Sequence, residues 1–240
     1  MTYKNKQGGE PVAAGTYGCV FNPALKCVGT HTSGPASGLA STSDALPMIS
    51  KLMYKKWAIL EYDEITQFAK IIQTIPDYKD YFLVDDISIC SPNSNSITDG
   101  DLDKFNKKCK NFVKDKIDSE NIREKIETHP DKFRILNMLD GGVDINTYYH
   151  QHLPIDSMFI VKLTVLLNKL IQNAVIPMNK KYLYHFDLKD NNILIDAEDQ
   201  IRIIDWGLGG IAKNNNPKNI PDVLMGRSIQ FNLPYTSILI

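Results

Sequence analysis

The chain has no excess of either charge. Its 27 basic and 28 acidic residues leave a formal net charge of −1, so global electrostatics give no reason to expect a nucleic acid or an anionic membrane as partner. It also lacks paired cysteine spacing. Cys19, Cys27, Cys90 and Cys109 form no CxxC and stand in no ligand-like register with histidine, which predicts reduced thiols and argues against zinc or disulfides. The opening residues MTYKNKQGGEP contain no apolar h-region, so no secretory signal is expected. No apolar run approaches the length of a bilayer span, and no internal repeat is visible. Together these absences predict a soluble, intracellular protein. What is present is an ordinary globular composition, 43% hydrophobic and 23% charged over 240 residues, long enough for one large domain or two small lobes.

Residues 12–21, VAAGTYGCVF, read as two short strands around a small-residue turn. The Ser-, Thr-, Gly- and Pro-rich stretch 22–47 has no apolar period and predicts a long, mobile loop. PMISKLMY (47–54) predicts a strand with a lysine near its middle. Residues 55–73 repeat apolar side chains at helical spacing and end before Pro76, which predicts an amphipathic helix with Trp57 in the core. YFLVDDISIC (81–90) predicts a strand, 91–101 a loop, and 102–127 a polar helical insertion whose lysines form a solvated face. FRILNML (133–139) predicts a strand stopped by Asp140-Gly141-Gly142. A second apolar-periodic helix is expected over 155–175. NILI and QIRII flank Asp196-Ala197-Glu198-Asp199 and predict a short hairpin. The order of elements argues for an α+β protein with its sheet first.

The chemistry concentrates at that hairpin. The polar run His185-Phe186-Asp187-Leu188-Lys189-Asp190-Asn191-Asn192 enters its first strand, and Asp205-Trp206-Gly207 leaves its second. A hairpin returns on itself, so Asp187 and Asp205 should approach one another, with Asn192 between them. Oxygen ligands of this kind suit a hard divalent cation, and a further carboxylate suits the proton of an attacking hydroxyl. His185 is expected to be a packed, hydrogen-bonded scaffold residue.

HFDLKDNN resembles the HRDLKxxN catalytic loop of protein kinases, and Asp205-Trp206-Gly207 resembles their DFG. The resemblance implies a protein-kinase-like two-lobe α+β fold. A β-rich N-lobe and hinge would span 1–139, with insertions at about 22–46 and 91–131. An incomplete, mainly helical C-lobe would span 140–240. It implies Asp187 as catalytic base, Lys189 as a contact to the transferred phosphate, and Asn192 and Asp205 as magnesium ligands. The glycine-rich loop would be Val12, Ala13, Ala14, Gly15, Thr16, Tyr17, Gly18, Cys19 and Val20, with Ala13 in place of the first glycine. Lys51 would neutralise the nucleotide phosphates and pair with a glutamate on the following helix, Glu64 by the pattern of apolar positions after it, or Glu61 one turn earlier. Backbone groups of Asn137, Met138 and Leu139 would hold the adenine edge, with Leu136 as gatekeeper.

ATP and Mg²⁺ are the implied cofactors and a protein Ser/Thr hydroxyl the implied substrate. The Ser-rich insertion and the FNLPYTSIL tail are similar to kinases of large nucleocytoplasmic DNA viruses, which implies a location in host cytoplasm or virion. Two departures stand out. Phe186 replaces the family arginine that pairs with a phosphorylated activation loop, which implies activity without that switch. No A-P-E motif follows Gly207, and residues 208–240 are too few for the family's remaining helices, which implies a truncated C-lobe. A small-molecule phosphotransferase with an HxDxxxxN loop and a pseudokinase-like binding module are the alternatives.

Overall fold

A computed structural model of the chain describes residues 10–14, 17–29, 47–212, 214, 216 and 219. It is a mixed α+β protein that divides into two compact units. One comprises Met1–Tyr62 and Asp86–Asp140, the other Asp63–Asp85 and Gly141–Ile240. The segment Asp63–Asp85, expected with the first lobe, thus groups with the second.

The first unit is built on an antiparallel five-stranded sheet in the order β1-β2-β3-β5-β4. Its strands are β1 (Glu10–Ala14), β2 (Gly18–Asn22), β3 (Met48–Tyr54), β4 (Ser88–Cys90) and β5 (Phe133–Leu139). The strand expected over 81–90 is therefore only its last three residues. Asp86 takes a left-handed φ of 56°, which breaks the extended run. The register sorts the side chains by face, because directly paired residues point the same way. Val20, Lys51 and Leu136 are aligned across three strands, and Cys19, Leu52 and Ile135 are aligned beside them on the opposite face.

That second face is covered by the insertion. Its short helices are α2 (Asp99–Leu102), α3 (Phe105–Lys108), α4 (Lys110–Lys114) and α5 (Ile122–Thr128); α1 is Lys55–Ile72. A capping box fixes the start of α2: the Thr98 side chain accepts from the Asp101 amide, and Asp101 accepts from the Thr98 amide. Leu102, Phe105, Phe112, Ile122 and Ile126 are buried with Phe21, Leu52, Phe133 and Ile135 in one cluster. The lysines between them, including Lys107, Lys110 and Lys114, stay exposed, as expected. The stretch is a lid on a hydrophobic sheet face.

The four cysteines are not the reduced thiols that their spacing predicted. Cys19 is joined to Cys109 and Cys27 to Cys90, with Cα atoms 5.2 and 5.8 Å apart. The pairs are 90 and 63 residues apart in sequence, so no local motif announces them; only the fold brings them together. Of the long loop expected over 22–47, residues 30–46 lie outside the described residues.

The second unit carries a three-stranded sheet, β6-β8-β9, and a pair, β7-β10. These are β6 (Val143–Asp144), β7 (Leu183–Tyr184), β8 (Ile193–Ile195), β9 (Ile201–Ile203) and β10 (Gly210–Ile211). Its helices are α6 (Ile145–Gln151), α7 (Ser157–Leu170) and α8 (Ile176–Lys180), the last two joined by a π-helical turn at Ile171–Val175. The β8–β9 hairpin forms as expected, pairing Ile193 with Ile203 and Ile195 with Ile201. Asp196 stabilises its turn by accepting from the amides of Glu198 and Gln200 and by holding the buried Arg202.

Gly142, at φ 97°, brings β6 so close to the hairpin that a Cβ would lie 2.6 Å from the Asp196 Cα. The helical run Ser157–Lys180 has 24 residues and contains an 18-residue window of mean hydropathy 1.5. By length and composition alone it could cross a bilayer, contrary to the reading of the sequence, where its scattered lysines interrupt the apolar run. Met158, Ile160, Val161, Val165 and Ile171 on this run are exposed, while Phe159, Leu166 and Leu170 are buried.

Candidate functional site

The loop from His185 to Asn192 is held by its own side chains. Asn192 is 4% exposed, and its Nδ2 donates to the Asp187 carbonyl at 2.8 Å and to Asp187 Oδ2 at 2.9 Å. Lys189 Nζ reaches the same Oδ2 at 2.8 Å. Asp187 is thereby buried and oriented, with a cation beside it. Phe186 adopts a left-handed φ of 58°, a conformation that is costly for an aromatic residue and is concentrated at functional sites. The Phe186 ring lies beside Tyr184, with centroids 5.3 Å apart.

His185 links this loop to the strand that ends at Asp205. Its Nε2 lies 2.9 Å from the Ile204 carbonyl, and its Nδ1 accepts from the Asp187 amide at 3.3 Å. Those partners require the neutral tautomer protonated at Nε2. Burial pushes the His185 pKa below its ordinary value, against the pull of the Ile204 carbonyl. A second link runs from the Ile204 amide to the Asn192 carbonyl, at 3.0 Å. Asp187 and Asn192 are thus tied by two separate bridges to the residue just before Asp205. The sequence suggested that Asp187 and Asp205 approach one another; the bonds seen are those to Ile204, the residue before Asp205.

Asp205 itself is exposed and left-handed, at φ 63°. The next residue, Trp206, turns inward. Its ring packs 4.9 Å from His185, 5.7 Å from Phe68 and 6.0 Å from Phe82, centroid to centroid. This aromatic cluster was not read from the sequence; its members are scattered over more than a hundred positions, and no spacing signals it.

In the first unit, Lys51 is 8% exposed and its Nζ lies 2.7 and 2.6 Å from the two oxygens of Glu61. The expectation placed Glu64 first and is corrected: the partner is Glu61. Seven residues of β3 run directly into α1 at Lys55, and this turn presents the glutamate of the second helical turn. Gly18 lies against the same lysine. A Cβ there would meet the Leu52 carbonyl and Met53 Cγ at 2.6 Å and Lys51 Cγ at 3.1 Å, so β2 and β3 pack this closely only because the position is glycine.

Of the expected phosphate loop, Val12, Ala13 and Ala14 are in β1, and Gly18 and Val20 in β2; Gly15 and Thr16 lie outside the described residues. Tyr17 is stacked on Trp57, with ring centroids 4.4 Å apart, and Trp57 is half-buried where a core residue was expected. Asn137, Met138 and Leu139 are the last residues of β5 and not a linker. Asn137 pairs with Ser50 and Ser88, whereas Met138 and Leu139 extend past the end of β4. The Asn137 side chain points to the insertion face, its Nδ2 at 3.4 Å from Cys27 Sγ and 3.7 Å from Cys90 Sγ. Only its backbone could serve the role expected of it.

Two oxygens suit a hard cation. Both donor contacts of the Asn192 amide are made by Nδ2, which fixes the flip and leaves Oδ1 as an acceptor. The Asp205 carboxylate takes no hydrogen bond among the described residues. An amide oxygen and a carboxylate oxygen are both hard donors, the kind that Mg²⁺ and Ca²⁺ take. No protein-family model matches the chain, and no curated protein matches it significantly.

Proposed function

We propose that the chain is an ATP- and Mg²⁺-dependent phosphotransferase of the protein-kinase type, a two-lobe protein that moves the γ-phosphate to a serine or threonine hydroxyl of a protein. The observation that carries this reading is the buried Asp187, held by Asn192 and Lys189 and bridged through His185 and Asn192 to Ile204 beside Asp205. The Lys51–Glu61 pair supports it from the first unit.

The roles follow from the chemistry. Asp187 orients the acceptor hydroxyl and takes its proton as the oxygen attacks phosphorus. Lys189, whose ammonium sits 2.8 Å from Asp187, would offset charge on the transferred phosphoryl oxygens. Lys51, held by Glu61, meets the nucleotide phosphates. Mg²⁺, held by Asn192 Oδ1 and the Asp205 carboxylate, would supply charge neutralisation on the phosphate chain. Phe186 brings no guanidinium to the loop, so activity is expected without phosphorylation of the segment after Asp205. The similarity to viral kinases makes host cytoplasm or the virion the proposed location.

The test is to incubate the protein with γ-labelled Mg-ATP and three acceptors: dephosphorylated casein, choline and an aminoglycoside. Label on casein serine or threonine is the expected result. Label on an amino-alcohol would instead identify a small-molecule phosphotransferase. Binding of Mg-ATP with no transfer would leave a nucleotide-binding module, and no binding would end the reading.

A further inference from the structure

The Cys19–Cys109 crosslink falls on the strand that carries the phosphate-loop glycine. Cys19 follows Gly18 directly and pairs across strands with Leu52, beside the Val20–Lys51 pair. Its partner Cys109 caps the C-terminal end of helix α3 of the insertion, and both cysteines are buried, at 0% and 1% exposure. The same short stretch grips the other strand of the hairpin. Lys108 Nζ donates to the Val12 carbonyl at 3.0 Å, and Lys104 pairs with Glu10 at 3.3 Å. Phe105 packs on Phe21, with ring centroids 6.4 Å apart. Residues 104–109 therefore hold β1 by two lysines and β2 by a covalent bond and an aromatic contact.

A two-stranded hairpin at a sheet edge is marginal by itself, and a glycine-rich one loses more entropy than most on being ordered. We propose that the Cys19–Cys109 disulfide is a positioning element for nucleotide binding: it ties the β1–β2 hairpin to the insertion in the register that ATP requires. The insertion is then part of the nucleotide machinery, acting from the face of the sheet opposite Lys51. Cys19 and Cys109 touch no reacting atom. They act through Gly18 and Val20, and their oxidation state sets how far the hairpin is ordered before ATP arrives. Opening the bond needs a reductant of the dithiol class. It gives up two electrons and two protons, becomes a cyclic disulfide, and leaves two thiols on the protein.

The inference rests on the phosphotransferase reading, and the experiment separates the two. Non-reducing peptide mapping of the full chain first reads the bond; a linked Cys19–Cys109 peptide is expected, and two free thiols would overturn the inference. Hydrogen exchange and ATP kinetics are then compared for wild type and Cys19→Ala/Cys109→Ala. The variant is expected to lose protection at the amides of Gly18–Asn22. KM for ATP should rise about tenfold, the scale expected when a preorganised loop must be ordered on binding, with kcat within about twofold. Unchanged hairpin exchange and unchanged KM, with only a lower Tm, would make the bond merely structural and overturn the inference.

Where the cysteine variant does not fold, Lys104→Met/Lys108→Met loosens the same clamp from the surface. It should shift KM in the same direction, and no shift would count against the proposal. Wild type that shows no effect of Mg-ATP, while the variant still loosens the hairpin, would overturn the nucleotide reading and leave the mechanical clamp standing.

Discussion

Replacing His185 with glutamine tests the bridge on which the site is built. The imidazole supplies the Ile204 carbonyl with a donor at 2.9 Å and the Asp187 amide with an acceptor at 3.3 Å, and packs 4.9 Å from Trp206. One glutamine amide reaches about as far as Nε2 but cannot serve both partners at once, and it does not fill the ring's volume. One buried group left unpaired costs about 1–3 kcal/mol, and the lost ring packing adds about 1 kcal/mol. At pH 8 the variant should therefore be less stable than wild type by about 2–4 kcal/mol in urea unfolding.

The pH dependence then gives a second, independent reading. Burial lowers the folded-state pKa of His185 below its ordinary 6.5, so the folded protein resists a proton that the unfolded chain accepts. The wild type accordingly loses stability as pH falls below that ordinary value, with the loss from this residue ending once the folded pKa is passed. The slope from one proton cannot exceed about 1.4 kcal/mol per pH unit. Glutamine has no such proton, so the stability gap between wild type and variant should narrow on going from pH 8 to pH 5. A gap that stays constant, or a variant as stable as wild type at pH 8, would refute the neutral, doubly bonded imidazole.

Two further results are expected. Gly18→Ala would force a Cβ to within 2.6 Å of the Leu52 carbonyl; it should lower stability by about 1–3 kcal/mol and weaken Mg-ATP binding, both read by thermal melting with and without nucleotide. In a double-mutant cycle, Lys51→Met and Glu61→Gln should show a coupling of about 1–3 kcal/mol in urea unfolding. A coupling below about 0.3 kcal/mol would mean that the 2.6 Å ion pair contributes nothing.

The sequence was most legible where chemistry and periodicity coincide. Short apolar runs found β3 and β5, apolar period found α1, and the polar knot before Ile193-Leu194-Ile195 located the loop whose hydrogen bonds the structure supplies. Glu61 was ranked behind Glu64 because apolar spacing on a helix does not set the angle at which the preceding strand delivers it. The insertion was read by its lysines, and the buried Leu102, Phe105, Cys109 and Phe112 at spacings of three and four were the overlooked signal of a lid. The disulfides were invisible for a different reason: pairings across 90 and 63 residues depend on tertiary structure alone. Trp206 was noticed as one letter of a motif, whereas its packing on His185, Phe68 and Phe82 joins three distant segments that no local pattern connects.

The most direct test of the central claim is phosphate transfer by Asp187→Asn beside wild type, measured with γ-labelled Mg-ATP and casein. The substitution keeps the shape of the side chain and removes its capacity to take a proton. The account predicts an equal stabilisation of both proteins by Mg-ATP and a loss of transfer of about 100-fold or more in the variant. Transfer that survives the substitution, or wild type that Mg-ATP neither stabilises nor enables to label any protein, would contradict it.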